Sequence, residues 1–139
     1  MAGWEKLESE LKEAIEGEVR FDPYSKKLYS TDASMYRIEP VGVVIPRSAE
    51  DVKKTLEISA GHRAAVLSRG GGTSLAGQTV GKAVVLDFSK YMNSVIEHDL
   101  DGEWARVQPG LVQDHFNDYL KPHGFVFGPN SSTSSRATL

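Results

Sequence analysis

The sequence contains no cysteine. Disulfide staples, thiol nucleophiles and thiolate-bound zinc or iron–sulfur centres are therefore excluded within this chain. A large excess of one charge is also missing. Sixteen basic against 19 acidic residues leave a net −3, which gives no electrostatic footing for nucleic acid or an anionic membrane. No apolar run in the sequence approaches the ~20 residues that a membrane span needs. The opening Met1-Ala2-Gly3-Trp4-Glu5-Lys6 lacks the pattern of a signal peptide. A soluble, cytoplasmic chain is the expectation. Hydrophobic residues at 40% and charged ones at 25% argue against disorder, collagen and coiled coil, and 139 residues suffice for one core.

What is present is a series of short periodic segments. Trp4, Leu7, Leu11, Ala14 and Ile15 recur at helical spacing and predict an amphipathic helix capped by Gly17. A short strand over 19–21 and irregular turns to Tyr36 follow. Residues 41–45 are an apolar, valine-rich run ending at Pro46, hence a buried strand. Ser48 ahead of Ala49-Glu50-Asp51 reads as a helix cap, with Val52, Leu56 and Ala60 as the apolar stripe. Residues 64–68 form the next strand, so this stretch is a β-α-β unit, for which right-handed parallel pairing is the default. Strands over 83–88, 94–98 and 103–108 come next, the last two a hairpin around Asp101-Gly102. A helix over 111–120 and a short strand over 125–127 complete an α+β reading.

The informative motif is Arg69-Gly70-Gly71-Gly72-Thr73-Ser74-Leu75-Ala76-Gly77-Gln78-Thr79, placed directly after a predicted strand. Glycines accept positive φ and let a ligand approach the backbone, so successive amides can form a concave anion nest. Two common phosphate motifs fail by count. A P-loop would need glycine where Ala76 stands before Gly81-Lys82. A Rossmann fingerprint begun at Gly70 meets Leu75 at its third glycine, and one begun at Gly72 meets Ser74 at its second. The glycines alone leave two readings, a phosphate cradle or a ligand-free surface turn.

The neighbouring residues point further. Ile45-Pro46-Arg47-Ser48-Ala49-Glu50-Asp51-Val52, followed by the glycine segment, resembles the FAD-binding domain of FAD-linked oxidases, the vanillyl-alcohol oxidase/p-cresol methylhydroxylase group. Tyr29-Ser30-Thr31-Asp32-Ala33-Ser34, Val107-Gln108-Pro109-Gly110 and Phe127-Gly128-Pro129-Asn130 resemble the branch containing D-lactate dehydrogenase, the glycolate oxidase subunit and D-2-hydroxyglutarate dehydrogenase. The resemblance implies that Gly70, Gly71, Gly72, Thr73 and Ser74 wrap the FAD pyrophosphate through their amides. Gln78 and Thr79 continue that contact, and Pro46 lies near the adenosine. Pro129 and Asn130 open a second cofactor loop that brings Ala137 and Thr138 near the flavin. Arg69 is read as offering charge to a phosphate, with a surface salt bridge as the alternative. Some relatives attach flavin through a His in a Ser-Gly-Gly-His loop. Gly72-Thr73 stands there in this sequence, so non-covalent FAD is expected.

In that family a Gly-Gly pair follows a segment like Ala137-Thr138-Leu139, so the chain is expected to be a fragment of a longer protein, inactive alone. The expected division is an N-terminal helix and lead-in over 1–36, a first β-α-β subdomain over 37–88 and the start of a second over 89–139. The parent would oxidise a 2-hydroxy acid such as D-lactate, glycolate or D-2-hydroxyglutarate by hydride transfer to FAD and pass electrons to an acceptor. It would sit in the cytoplasm or peripherally at a membrane, and it has no nucleic-acid partner. The alternative is a stand-alone, non-catalytic module that uses the glycine nest for another phosphate ligand or a protein. No catalytic or metal residue is assigned. His62, His98, His115 and His123 show no paired ligand spacing and read as packing or surface residues. Asp99 and Asp101 are turn residues, and Asn130-Ser131-Ser132 is a chance glycosylation sequon.

Overall fold

A computed structural model describes residues 3–139. In chain order its elements are α1 (Glu5–Ala14), β1 (Glu18–Arg20), α2 (Pro23–Leu28), β2 (Gly42–Ile45), α3 (Ala49–Gly61) and β3 (Val66–Arg69). Then come β4 (Val84–Asp87), β5 (Val95–Asp99), β6 (Trp104–Val107), α4 (Gln113–Leu120) and a 3-10 turn over Lys121–His123.

The first four strands form one sheet in the order β1-β2-β4-β3. β2, β4 and β3 run parallel, with Val43 opposite Val85 and Val85 opposite Leu67, while β1 joins antiparallel to β2. The β2-α3-β3 unit is thus parallel as expected, but its strands are not neighbours, because β4 lies between them. Burial decides the placement. Every residue of β4 is buried, whereas β3 exposes Ser68, so the more apolar strand takes the centre and the more polar one the edge. One face of the sheet packs on α1, with Leu7, Leu11 and Ile15 against Val44, Val84 and Leu86. The other carries Val43, Ile45 and Val85 beneath Tyr29, Leu67 and Tyr91.

Several local expectations change. Gly17 is not a left-handed helix cap. A Cβ there would overlap the Ile45 carbonyl, so glycine lets the chain cross close to the end of β2. The turns after β1 contain α2, whose Asp22 accepts a hydrogen bond from the Ser25 amide at 2.9 Å ahead of Pro23. On α3 the buried side is Asp51, Thr55 and Ser59, while Leu56 is 48% exposed. These small side chains let the helix approach its neighbours. The Thr55 hydroxyl is satisfied by donating to the Asp51 carbonyl at 2.7 Å. The Ser48 cap holds, its Oγ accepting from the Asp51 amide at 3.1 Å.

The rest of the chain builds a smaller unit. β5 and β6 form the expected hairpin, closed by a turn in which Glu103 has φ of 53°. α4 lays Phe116 and Leu120 on Val95, Ala105 and Val107. No strand forms over 125–127. The Phe127 amide donates to Asn117 Oδ1 at 2.9 Å and its ring meets Phe116, so this segment folds back on α4 and not onto a sheet edge.

Candidate functional site

Because β2, β4 and β3 are parallel, their C-terminal ends share one edge of the sheet, where α/β ligands commonly bind. Pro46, Arg69, Gly70 and Asp87 gather at this edge. Pro46 is fully buried. Asp87 accepts from the Tyr29 hydroxyl at 2.5 Å and from the Ser89 amide and hydroxyl at 2.9 and 2.7 Å. Burial, together with the Asp87 hydrogen bond, pushes the Tyr29 phenol well above its ordinary value.

The glycine segment leaves this edge as an open loop. Among the described residues the amides of Gly70, Gly71, Gly72, Thr73 and Ser74 donate to no acceptor in the chain. Gly72 has φ of +66° and Gly77 of +75°, left-handed conformations that favour glycine. A run of free amides bent by left-handed glycine is the geometry of an anion nest. The Ser74 hydroxyl binds the Gln78 side chain and accepts from the Gln78 amide at 3.2 Å, so these two residues shape the loop's far limb. Arg69 is spent internally. Its guanidinium donates to the Thr31 and Thr79 carbonyls at 2.9 and 3.2 Å and lies 5.2 Å from the Tyr29 ring centre. The Thr79 hydroxyl donates to Asp32 Oδ2 at 2.9 Å.

A second segment closes on the first. A Cβ on Gly70 would overlap the Thr138 hydroxyl, and one on Gly71 would overlap the Arg136 carbonyl. Residues 70–71 and 136–138, remote in sequence, are therefore in tight contact. This second segment is organised by Gln113, which sequence reasoning missed. Its amide donates to the Ala137 carbonyl at 2.9 Å, its Nε2 to the Pro129 carbonyl at 2.7 Å, and its Oε1 accepts from the Ser131 hydroxyl at 2.8 Å. Thr138 also bridges to Val112. Pro129 and the exposed Asn130 stay at the α4 end of the segment. Gln113 carries no motif; only its burial on the first turn of α4 betrays it.

The histidines form no comparable site. His62 Nε2 lies 2.9 Å from Glu10 Oε2 and joins α3 to α1. His98 Nδ1 meets the Tyr119 hydroxyl at 2.8 Å beside the His123 ring, and His115 is exposed on α4. Among the described residues no three His, Asp or Glu side chains converge as for a metal, and no helix is long and apolar enough to cross a membrane. An apolar groove of about 340 Å³, lined by Trp104, Val107, Phe116, Phe127 and Leu139 among others, lies between the hairpin and α4.

Residues 40–139 match the FAD binding domain family. D-2-hydroxyglutarate dehydrogenase of Escherichia coli (strain K12) is 43% identical over 113 residues, 79% of this chain and 11% of that protein. D-lactate dehydrogenase (cytochrome) of Kluyveromyces lactis is 35% identical over 111 residues, 77% of this chain and 19% of its own length. The glycolate oxidase subunit GlcD of Bacillus subtilis is 31% identical over 130 residues, 90% of this chain and 27% of its own length. The chain thus spans a tenth to about a quarter of these relatives. Among solved structures, alkyldihydroxyacetonephosphate synthase superposes with a TM-score of 0.85 at 19% identity, covering 97% of this chain and 28% of that one. p-Cresol methylhydroxylase gives 0.78 at 19%, covering 99% and 28%. These likenesses fix the architecture as the α+β, p-cresol methylhydroxylase-type FAD-binding fold.

The donor set fits such a cofactor. Five unpaired amides suit a pyrophosphate, and the Thr138 hydroxyl lies beside Gly70. The chain belongs to the FAD binding domain family of FAD-linked oxidoreductases.

Proposed function

We propose that this chain forms the pyrophosphate-binding part of the FAD site in a longer dehydrogenase or oxidase acting on a 2-hydroxy acid. The observation that carries the reading is the run of free amides over 70–74, set at the C-terminal edge of a parallel sheet and walled by Arg136 and Thr138. The substrate class rests on the relatives, whose names share a 2-hydroxy acid or its oxidation. FAD bound there supplies the two-electron acceptor of the reaction.

The chain's own residues bind and orient. The amides of Gly70, Gly71, Gly72, Thr73 and Ser74 hold the pyrophosphate, with Gln78 and Thr79 setting the loop's return limb. Arg69 contributes positive potential from below the loop, since its N–H groups already serve Thr31 and Thr79. Pro46 borders the adenosine, while Ala137, Thr138, Pro129 and Asn130 line the flavin side. No imidazole stands in the loop, which supports a non-covalent hold on FAD. The first subdomain covers 37–88 and a second begins at 89. An electron acceptor serves the whole protein, and this chain alone turns nothing over.

Amide NMR spectra of the chain with millimolar FAD test the reading. The expected result is shifts concentrated on residues 70–74 and 136–138, reproduced by ADP, without turnover of D-lactate, glycolate or D-2-hydroxyglutarate. Shifts that avoid both segments overturn the binding assignment, and turnover by the chain alone overturns the claim of inactivity.

A further inference from the structure

The segment Tyr29-Ser30-Thr31-Asp32-Ala33-Ser34 has no assigned role, yet it touches both limbs of the glycine loop. The Ala33 amide donates to the Gly72 carbonyl at 3.0 Å. Asp32 Oδ2 accepts from the Thr79 hydroxyl at 2.9 Å, and Oδ1 accepts from the Ser34 amide at 2.9 Å. Arg69 ties the Thr31 carbonyl to the root of the loop, and the Tyr36 ring covers Gly77, where a Cβ would lie 2.5 Å from ring carbon Cδ2. Within the loop itself, the side-chain hydrogen bonds are those that Ser74 makes to Ala76 and Gln78.

A carboxylate is an odd neighbour for an anion cradle, because its charge opposes the ligand. Both Asp32 oxygens are occupied by local donors, so its contribution is positional. Glycine-rich backbone is costly to order, and any ordering left undone before binding is charged against affinity. We infer that Asp32 is a positioning residue: its bonds to the Thr79 hydroxyl and the Ser34 amide fix the turn that presents the Ala33 amide to Gly72, and so hold residues 70–79 in the cradle shape before any cofactor arrives. The inference rests on the FAD reading for its effect on affinity, but its effect on loop order stands apart from it.

Backbone order parameters of residues 70–74, measured without ligand, and the FAD dissociation constant, measured by NMR titration, decide the matter together. Asp32→Ala is expected to lower the loop's order parameters from rigid to flexible values and to weaken FAD about tenfold, as losing the charge-assisted hydrogen bond to Thr79 would. Asp32→Asn keeps an acceptor and removes the charge, so it is expected to restore both. Should Asp32→Ala compromise folding, Thr79→Val breaks the same bond from the other side, and Thr79→Ser rescues it. Unchanged order and affinity in both Asp32→Ala and Thr79→Val overturn the inference. So does tighter FAD binding in both Asp32 variants, which would make Asp32 a charge effect only. A loop that loosens in Asp32→Ala, in a chain whose wild-type loop ignores FAD, supports the brace and removes the FAD assignment.

Discussion

Single residues carry the tightest constraints, and two glycines show how differently the same residue type can act. Gly71 has the Arg136 carbonyl where a Cβ would go, whereas Gly61, at the end of α3, has nothing within 4 Å and no positive φ. Gly71→Ala should cost about 1–3 kcal/mol, as overpacking does, and abolish FAD-dependent shifts at residues 136–138. Gly61→Ala should gain about 0.5–1 kcal/mol by restricting the unfolded chain. Urea denaturation of the two variants checks the contrast, and equal effects would show that the two segments do not touch. The glycine loop was legible in the sequence because glycine clusters are conspicuous. Its partners were not, since Arg136 and Asp32 meet the loop only through the fold.

At the scale of elements, local pattern was readable wherever burial follows side-chain polarity. The Phe116–Leu120 side of α4 obeys that rule, while the Ser48 cap of α3 and the β5–β6 hairpin were readable from local cap and turn chemistry. α3 itself does not, because its closest approach to the rest of the molecule uses Thr55 and Ser59 in place of Leu56. Thr55 satisfies its hydroxyl on the helix backbone, but the buried Ser59 Oγ has no partner. An unpaired buried hydroxyl carries its desolvation cost without return. Ser59→Ala should therefore raise stability by about 1 kcal/mol, read from the denaturant midpoint at unchanged slope. A loss of stability would mean that the hydroxyl is hydrogen-bonded after all. The central position of β4 is the other unreadable feature at this scale. Strand order depends on which faces compete for burial across the whole sheet, and adjacency in sequence says nothing about that.

For the whole molecule, a polar junction ties the edge strand β1 to the stretch that leaves β4. Glu18 on β1 receives Lys90, the Tyr91 hydroxyl at 2.7 Å and the Arg20 guanidinium, Nε at 2.9 Å. The hydrogen bonds from Lys90 and Tyr91 lead in lowering its carboxyl to about 2, from an ordinary 4.5. In the unfolded chain Glu18 takes up its proton first as the pH falls. Its contribution is thus complete above pH 4.5 and is lost as the pH drops towards 2. The urea midpoint of the wild type should fall through that window, and Glu18→Gln, less stable at neutral pH, should fall by less. Parallel curves for the two proteins would remove Glu18 from the acid response.

The contact of Gly70 and Gly71 with Thr138 and Arg136 also bears on how the protein is made. The two walls of the cradle lie far apart in the sequence, at residues 70–71 and 136–138, and both fall inside the stretch that matches the family. During synthesis the glycine loop emerges well before its opposite wall, so the nest has no lid until Thr138 is out and docked. Closing so long a loop is slow compared with forming any one element. A ligand that bridges both walls would then act as a late clamp, drawing the docking equilibrium toward the closed form by mass action. Retention of cofactor becomes a report on how completely the polypeptide has been assembled.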